Sequence, residues 1–344
     1  MTTLYLIRHG EAEGNRYRRC HGQYDSTITD NGYRQIAALA RRMADVPIDA
    51  VYASDLTRTQ TTALAVTRTH GLPLRLEPRL REVSVGVWED KTWAWLARFD
   101  TDRLVAFNSD AQRWSVEGGE TMAQVRDRML AALGDVVAAN PGGRVAVVSH
   151  GMALRALVGT LSGLTLPEID RTGHAENTAV TKLEADARGV RVVYANDASH
   201  LPDELTTLHK QLWTKTPGGL EPGVWFEADA AEPGRFFAVR EDARVGAVTV
   251  EPSGGVGEIT ELRLDEAARG RNLGVRLVGQ AVSHARARGC DALRVRPPEG
   301  DALAAKRLRE YGFTERNGAW EKYIGYDEAY RVRRFEEEYN AIKK

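Results

Sequence analysis

The sequence has little of what marks several broad classes of protein. It contains two cysteines, Cys20 and Cys290, which lie far apart and lack the spacing of metal ligands. This argues against a disulfide framework and against a zinc site, and a reducing cytoplasm is the expected location. No apolar run approaches the roughly 18 residues that a membrane-spanning helix needs. Residues 1–7 are uncharged and lead directly into Arg8, which does not match a signal peptide.

The chain also lacks an excess of charge of either sign. Its 47 lysines and arginines nearly balance its 48 aspartates and glutamates, which gives a net charge of −1. Without a global basic field, neither nucleic acid nor an anionic membrane is an expected partner. The 344 residues exceed one ordinary core, so two domains are expected.

Buried strands and helices alternate through the first part of the chain. Strands are predicted at 4–7, 50–54 and 144–149, and helices at 31–43, 55–66, 121–139 and 152–161. This alternation predicts a parallel sheet between two layers of helices, a three-layer α/β/α domain. Two further segments, 178–184 and 190–194, are predicted to close the sheet as a strand pair.

The pattern changes after residue 201. One exposed helix is predicted at 203–213, and the segment 216–223, rich in Pro and Gly, is the clearest linker. A second, smaller α/β unit is predicted beyond it, with strands at 236–240, 245–250, 258–264 and 292–295 and helices at 274–288 and 302–311. The expected domains are 1–201, a linker with a short helix at 202–222, 223–324, and a solvated or capping helical tail at 325–344.

Histidines and arginines occur where strands of the first part end. Arg8 and His9 follow the first strand, His150 follows a valine-rich strand, and Arg58 lies near a helix start. Ligands bind at the carboxyl edge of an open α/β sheet, and free amides at a helix start favour anions. Guanidinium groups bind phosphate in a bidentate manner, and their charge keeps a nearby imidazole unprotonated and nucleophilic. Together these residues predict a phosphoryl site.

Glu82 is the candidate acid of this site. A leaving alkoxide needs a proton, which a carboxyl group can donate where its surroundings favour the protonated form. Once ionised, the same group can activate the water that hydrolyses a phosphohistidine. Each of these residues alone is weak evidence. Their occurrence together, in order and at strand ends, predicts phosphoryl chemistry through a phosphohistidine.

With these motifs, residues 1–201 resemble the histidine phosphatase superfamily, also called phosphoglycerate mutase-like. The matching positions are Arg8-His9-Gly10-Glu11, Asn15, Gly22, Asp25, Thr29-Asp30-Asn31-Gly32, Ser54-Asp55-Leu56, Arg58, Glu82, Gly86, Trp88-Glu89, Gly119-Glu120 and Ser149-His150-Gly151. The resemblance implies that His9 is the nucleophile, that Glu82 donates the proton and that three residues bind phosphate, namely Arg8, Arg58 and His150. It also implies that Asn15 lines the phosphate pocket and that Gly151 contributes shape or a backbone contact.

A few positions depart from the family pattern on the substrate side. Cys20-His21 stand where an aromatic residue and glutamine are more usual, and Thr27 stands where proline is usual. The segment 18–25 also lacks the Phe-Thr-Gly-Trp-type pattern of the mutases. The resemblance therefore implies a histidine acid phosphatase-type phosphomonoesterase for a small phosphorylated metabolite, whose identity stays open. Mutase-type phosphoryl transfer is the alternative, and a phosphate sensor is disfavoured because the nucleophile and the acid are both present.

Residues 91–120 are expected to cover the pocket and to set its specificity. They contain Trp93, Trp95, Phe99, Phe107 and Trp114, together with Arg98, Arg103 and Arg113. Packing within a helical lid explains each of these residues singly, but we expect one of them to contact the substrate. No metal is expected, because the arginines and histidines already supply the positive charge that a metal would bring.

The second part carries a glycine-bearing turn between a strand and a helix. Such a turn can hold a pyrophosphate through free amides and the helix dipole. The order of its elements makes residues 223–324 resemble the GNAT N-acetyltransferases. The resemblance implies an acyl-CoA site at Leu264, Arg269, Gly270, Arg271, Asn272, Leu273 and Gly274, and hence acetyl-CoA as cofactor and an amine as acceptor.

The general-acid tyrosine of that family is missing from its usual place. Leu308 occupies the position and Asp301 replaces a frequent asparagine, so Tyr311 is the nearest substitute, with Glu258 or Glu261 as the candidate base. Two alternatives stay open for this part. It is an acetyltransferase in a bifunctional chain, or it is a catalytically silent scaffold that positions substrate or pairs subunits in a homodimer.

Overall fold

The computed structural model of the protein describes residues 1–216, 220, 223–269, 272–298 and 300–342. Within them, the first part contains a mixed sheet with the strand order β3-β2-β4-β1-β5-β6. The strands are β1 (Thr2–Arg8), β2 (Ala50–Ala53), β3 (Leu74–Leu76), β4 (Arg144–Ser149), β5 (Val180–Asp186) and β6 (Gly189–Asp197). Strands β1 to β4 are parallel, and the pair β5 and β6 joins β1 in antiparallel fashion. The predicted strand pair therefore closes one edge of a parallel sheet.

Helices cover both faces of this sheet. They are α1 (Glu13–Tyr17), α2 (Asp30–Met43), α3 (Thr57–His70), α4 (Trp93–Phe99), α5 (Thr101–Ser109), α6 (Met122–Ala139) and α7 (Gly151–Leu161). The neighbouring residues Leu6 and Ile7 of β1 belong to different apolar clusters, one packed against α6 and α7 and the other against α2 and α3. Successive side chains of a strand point to opposite faces, so the predicted three-layer architecture is confirmed.

The helix predicted at 203–213 is wrong. The chain there makes short 3₁₀ turns at Asp203–Leu205, Leu208–Lys210 and Leu212–Lys215. The backbone N–H groups of Thr207 and Leu208 donate instead to the carboxylate of Glu176, which lies just before β5. Backbone groups bonded to the first domain cannot join the i→i−4 ladder of a helix. In the predicted linker, residues 217–219 and 221–222 lie outside the described residues.

A second sheet follows, and its order within the described residues is β12-β13-β11-β10-β9-β8-β7. The strands are β7 (Trp225–Ala228), β8 (Arg235–Arg240), β9 (Ala243–Ser253), β10 (Val256–Leu264), β11 (Ala292–Val295), β12 (Thr314–Arg316) and β13 (Ala319–Tyr323). Helix α8 (Leu273–Arg286) packs against β9 and β10, and α9 (Ala302–Glu310) precedes β12. The predicted second α/β unit is confirmed, although β7, β12 and β13 were not predicted.

The last helix returns to the first domain. Helix α10 (Glu328–Ala341) packs against α2 and α3. Its Phe335 is 1% exposed and lies in the same apolar cluster as Ile36 and Leu39 of α2. Of the two alternatives for the tail, a solvated or a capping helix, the described residues form the capping one. No helix in the described part of the chain is long and apolar enough to cross a membrane.

Candidate active site

The carboxyl edge of the first sheet brings the predicted phosphoryl residues together. Arg8 ends β1 and His9 follows it, Arg58 lies in the first turn of α3, and Glu82 enters from the loop after β3. All four line one cavity of about 150 Å³, as do Asn15 and Gly151. His150 lies behind this wall, fully buried, with its ring centroid 5.2 Å from that of His9.

A backbone acceptor fixes the ring of His9. Its Nδ1 lies 2.8 Å from the carbonyl oxygen of Gly10, so this nitrogen carries the proton and donates it. Burial, followed by the charges of Arg58 and Arg8, lowers the pKa of the imidazole well below its ordinary value. The ring is therefore neutral, and the lone pair of Nε2 is available for attack on an electrophile.

Arg58 and His150 are fixed by each other and by the backbone. Arg58 donates from Nε to His150 Nδ1 over 3.2 Å and from its terminal nitrogens to the carbonyl oxygens of Tyr24 and Gly22. Because Nδ1 of His150 accepts, its Nε2 carries the proton and donates to Ser54 Oγ over 2.9 Å. Burial, and then the charge of Arg58, lowers the pKa of His150 well below its ordinary value. The two residues are positioned before any ligand binds.

Arg8 holds a buried donor that lacks a partner. Its Nη1 donates to the carbonyl oxygen of Ala175, while its Nε has no hydrogen-bond partner among the described residues. A Cβ placed on Gly151 would lie 3.4 Å from this Nε, so the glycine keeps the approach to it open. An unsatisfied buried donor costs about 1–3 kcal/mol. An oxyanion is the ligand that would satisfy a guanidinium N–H most strongly.

Three backbone N–H groups hold the carboxylate of Glu82. Its Oε2 accepts from Met152 at 3.0 Å, and its Oε1 accepts from Ala153 at 2.9 Å and from Val83 at 3.0 Å. Met152 and Ala153 belong to the first turn of α7, where free amides favour an anion. These bonds fix the Glu82 side chain on the wall of the cavity that contains His9.

Asn15 is joined by residues that sequence reasoning missed. Asn177 donates from Nδ2 to the carbonyl oxygen of His9 over 2.9 Å and to Asn15 Oδ1 over 3.4 Å. Its neighbour Glu176 raises the pKa of Arg8, against the larger lowering by burial. Both residues precede β5, and an antiparallel strand begins at the edge where its parallel neighbours end. That placement was the signal that could have found them.

The outer wall of the cavity comes from the lid and from the segment after the first domain. It includes Arg18, Trp93, Phe107, Asn108, Leu208 and Gln211. One of the lid residues was expected to contact substrate, and of its aromatic residues Trp93 and Phe107 line the cavity, while Trp114 packs edge-on against Phe107. The three lid arginines pair with acidic residues outside the cavity lining, namely Asp242, Asp100 and Asp110.

The three residues that depart from the family pattern, Cys20, His21 and Thr27, have different surroundings in the structure. Cys20 lies in the apolar cluster of the first domain, and burial raises the pKa of its thiol. His21 lines the cavity and donates from Nε2 to Asp90 over 3.0 Å. Thr27 donates from its backbone N–H and its hydroxyl to the carboxylate of Glu13, and these bonds fix the loop that contains Thr27 to α1.

The described part of the predicted acyl-CoA turn connects a strand to the start of a helix. Leu264 ends β10, Leu273 begins α8, and Asn272 between them is left-handed with φ of 55°. Gly270 and Arg271 lie outside the described residues. In the described residues β10 pairs with β11 as far as Ile259 and Val295, where β11 ends. The free amides of a helix start attract phosphate groups.

The candidate catalytic residues of the second domain are partly engaged. A Cβ on Gly274 would lie 2.1 Å from Tyr311 Oη, so the tyrosine hydroxyl packs against the start of α8. Glu258 is paired with Arg294 at 2.8 Å. Glu261 is paired likewise with Arg235, and either carboxylate would have to leave its ion pair to act as a base.

Comparison with known proteins identifies both parts of the chain. The family model described as "Histidine phosphatase superfamily (branch 1)" matches residues 4–198, and "Acetyltransferase (GNAT) family" matches residues 203–313. A protein of Erwinia tasmaniensis named "Probable phosphoglycerate mutase GpmB" is 35% identical over 208 residues, which cover 59% of this chain and 96% of that protein. The protein of the same name from Cronobacter sakazakii is 36% identical over 209 residues, which cover 58% of this chain and 95% of that protein.

Solved structures agree with the sequence comparison. YhfR of Bacillus stearothermophilus superposes with a TM-score of 0.57 at 32% identity, covering 58% of this chain and 99% of that one. A mycobacterial glucosyl-3-phosphoglycerate phosphatase superposes with a TM-score of 0.53 at 27% identity, covering 57% and 99%. The chain belongs to the histidine phosphatase superfamily, and a domain of the GNAT acetyltransferase family follows its phosphatase-like domain.

Proposed function

We propose that the first domain hydrolyses the phosphomonoester of a small phosphorylated metabolite through a phosphohistidine on His9. The observation that carries the proposal is the bond from Nδ1 to Gly10, which leaves a lone pair on Nε2 of a neutral ring. Arg8, Arg58 and Glu82 line the same cavity. A site that only binds phosphate would need the arginines, but it would not need a nucleophile and a carboxyl group beside them.

In the first step, Nε2 of His9 attacks phosphorus, and the bond from phosphorus to the ester oxygen breaks. Protonated Glu82 gives its proton to the departing oxygen, so the alcohol leaves neutral. Arg8 and Arg58 bind the non-bridging oxygens and balance their charge. His150 supports this arrangement from behind by holding the guanidinium of Arg58.

In the second step, the Glu82 carboxylate takes a proton from water as the water oxygen attacks phosphorus. The bond between phosphorus and Nε2 breaks, inorganic phosphate leaves, and His9 regains its lone pair. The three N–H groups on Glu82 position its carboxylate on the cavity wall, from which it can accept the proton of the attacking water. Each turnover thus returns both residues to their starting protonation states.

A trapping experiment tests the phosphohistidine. Brief exposure to labelled substrate should give an acid-labile, base-stable phosphoenzyme, and His9→Ala should lack it and lose hydrolysis while staying folded. Retention of appreciable turnover by His9→Ala would overturn the mechanism. Incubation with 3-phosphoglycerate, followed by phosphorus NMR, separates the alternatives. Free phosphate indicates hydrolysis, and a phosphoglycerate isomer indicates mutase-type transfer, as the name of the Erwinia tasmaniensis relative would have it.

We also propose that the second domain binds acetyl-CoA at the turn between β10 and α8. Backbone amides at Leu273 and Gly274 would hold the pyrophosphate, and Leu264, Arg269, Asn272 and the residues 270–271 would complete the site. When bound, acetyl-CoA would supply an activated acetyl group to an amine. Tyr311 is the side chain near the turn that could donate a proton.

Calorimetric titration of CoA tests this second proposal. Gly274→Glu should abolish binding through crowding and repulsion, but its side chain would also collide with Tyr311. The test therefore uses Gly274→Glu in a Tyr311→Ala background, with Tyr311→Ala alone as the matched control. Undetectable binding by the wild type would leave the second domain as a scaffold.

A further inference from the structure

Helix α8 of the second domain supports the outer wall of the phosphatase cavity. Gly279 lies so close to α1 that a Cβ on it would be 2.5 Å from Cβ of Tyr17. Tyr17 is 3% exposed and belongs to the apolar cluster of the second domain, although it lies in the first. Directly after it come residues 18–22, which we call the substrate segment because all five line the cavity.

Asp90 joins the substrate segment to α8. Its carboxylate accepts two hydrogen bonds from Arg19, one from His21 and one from the hydroxyl of Ser283 in α8. Arg19 also donates to Gln280 Oε1 over 3.1 Å. Burial opposes the ionisation of Asp90, but the bonds from His21 and Arg19 outweigh it and hold the pKa of Asp90 below its ordinary value.

The backbone at this junction is held in an uncommon shape. Asp90 is left-handed with φ of 62°. Its N–H donates to the carbonyl oxygen of Cys20, and the N–H of Cys20 donates to Lys91, both over 2.8 Å. A residue with a side chain persists in this region only where its surroundings determine it strongly. The contacts from α8 are part of what determines it here.

We propose that Ser283 and Gln280, in the second domain, are positioning residues of the phosphatase site. They fix Asp90 and Arg19, and through them they set where the substrate segment meets the alcohol part of the ester. This inference rests on the proposed phosphatase function. The phosphate side depends less on the substrate segment, since Arg8 donates to Ala175 and Arg58 is held by Tyr24 and His150 as well as by Gly22 of that segment. Loss of the two contacts should therefore weaken recognition of the alcohol and spare that of phosphate.

Matched substitutions in the full chain test the positioning role. Ser283→Val removes the hydroxyl, and Ser283→Thr, whose side chain has nearly the same volume as valine, keeps it. Ser283→Val with Gln280→Leu removes both contacts. The Val variant should raise KM for p-nitrophenyl phosphate about ten-fold, the size of one charge-assisted hydrogen bond. The Thr variant should stay near wild type, and kcat and inhibition by inorganic phosphate should change by less than about two-fold.

Hydrogen exchange supplies a readout that does not depend on turnover. Amides of the substrate segment should exchange faster in the Val variant than in the Thr variant, while those of β1 and β4 stay unchanged. An unaltered KM and unaltered exchange in the double variant would overturn the proposal. Equal weakening of substrate and inorganic phosphate would overturn it as well, because the whole site would then have loosened. If the wild type hydrolyses no ester, the phosphatase proposal fails. The hydrogen-exchange rates of the substrate segment would then still show whether the contacts from α8 restrain it.

Discussion

Removal of the Arg286 guanidinium should destabilise the protein through a buried ion pair that crosses the domain contact. Arg286 donates from both terminal nitrogens to the carboxylate of Glu13, at 2.7 and 2.9 Å. The two side chains are 10% and 4% exposed. Arg286→Met keeps most of the apolar stem and leaves Glu13 buried without its counter-charge.

The expected loss of unfolding free energy follows from the counter-charge and hydrogen bonds that Glu13 loses. Burial favours its neutral form, but the charge and hydrogen bonds of Arg286 outweigh burial and hold the pKa of Glu13 below its ordinary value. Removing one partner of a buried pair costs about 3–5 kcal/mol. Thr27 continues to donate to Glu13, so the lower end, about 3 kcal/mol, is expected. Arg286→Met with Glu13→Gln should recover most of this loss, since no buried charge then remains unpaired.

Urea unfolding of the four proteins of this double-mutant cycle measures the coupling. The folded-state pKa of Glu13 is depressed, so its stabilising contribution is present above its ordinary pKa of 4.5 and is lost as pH falls through the lower, folded value. The deficit of Arg286→Met should therefore be full at pH 7 and shrink in acid. A coupling free energy below about 1 kcal/mol at pH 7, typical of an exposed pair, would refute the reasoning.

Three further predictions concern the proposed chemistry. Glu82→Gln should slow hydrolysis of alkyl phosphates far more than that of p-nitrophenyl phosphate, whose phenolate needs little help from an acid, and equal losses would assign Glu82 a structural role. Because the pKa of His9 is lowered by burial and by Arg58 and Arg8, the acid limb of kcat/KM should lie well below pH 6.5, and a limb at or above that value would show a solvated ring. Chelation with EDTA should leave hydrolysis unchanged, since two arginines supply the positive charge, and reactivation of treated protein by a divalent metal would contradict this.

The sequence contained enough to assemble the proposed phosphoryl residues, because strand order along a parallel sheet places strand ends at one edge. Arg8, His9 and Arg58 needed only that rule, and the structure brings them to one cavity. It places His150 differently, behind the cavity wall and in contact with Arg58. Strand ends predict the edge of a sheet, but they do not predict which side chain reaches the surface and which supports it.

Contacts between distant segments could not be read from local patterns. Asn177 binds the backbone of His9, and Glu176 binds the backbone at 207–208, yet neither residue has a motif of its own. The predicted helix at 203–213 failed for the same reason, since its backbone groups are bonded elsewhere. The boundaries 1–201, 202–222, 223–324 and 325–344 stay a prediction. The structure adds that these units contact one another through buried polar groups.

Phe335 offers the sharpest test of whether the units depend on one another. Although it lies beyond the second domain in the chain, it is 1% exposed within the apolar cluster formed by α2, α3 and the first sheet. Deleting a buried aromatic ring costs about 3–5 kcal/mol, the lost transfer free energy plus the cavity left behind. Phe335→Ala should thus lower the midpoint of thermal inactivation of the phosphatase, while CoA binding by the second domain is retained at room temperature. Leu303→Ala, at a side chain of the second domain that is 61% exposed, is the control and should leave that midpoint unchanged. If Phe335→Ala behaves like this control, then α10 does not cover the first domain in solution, and residues 1–201 are sufficient for its stability.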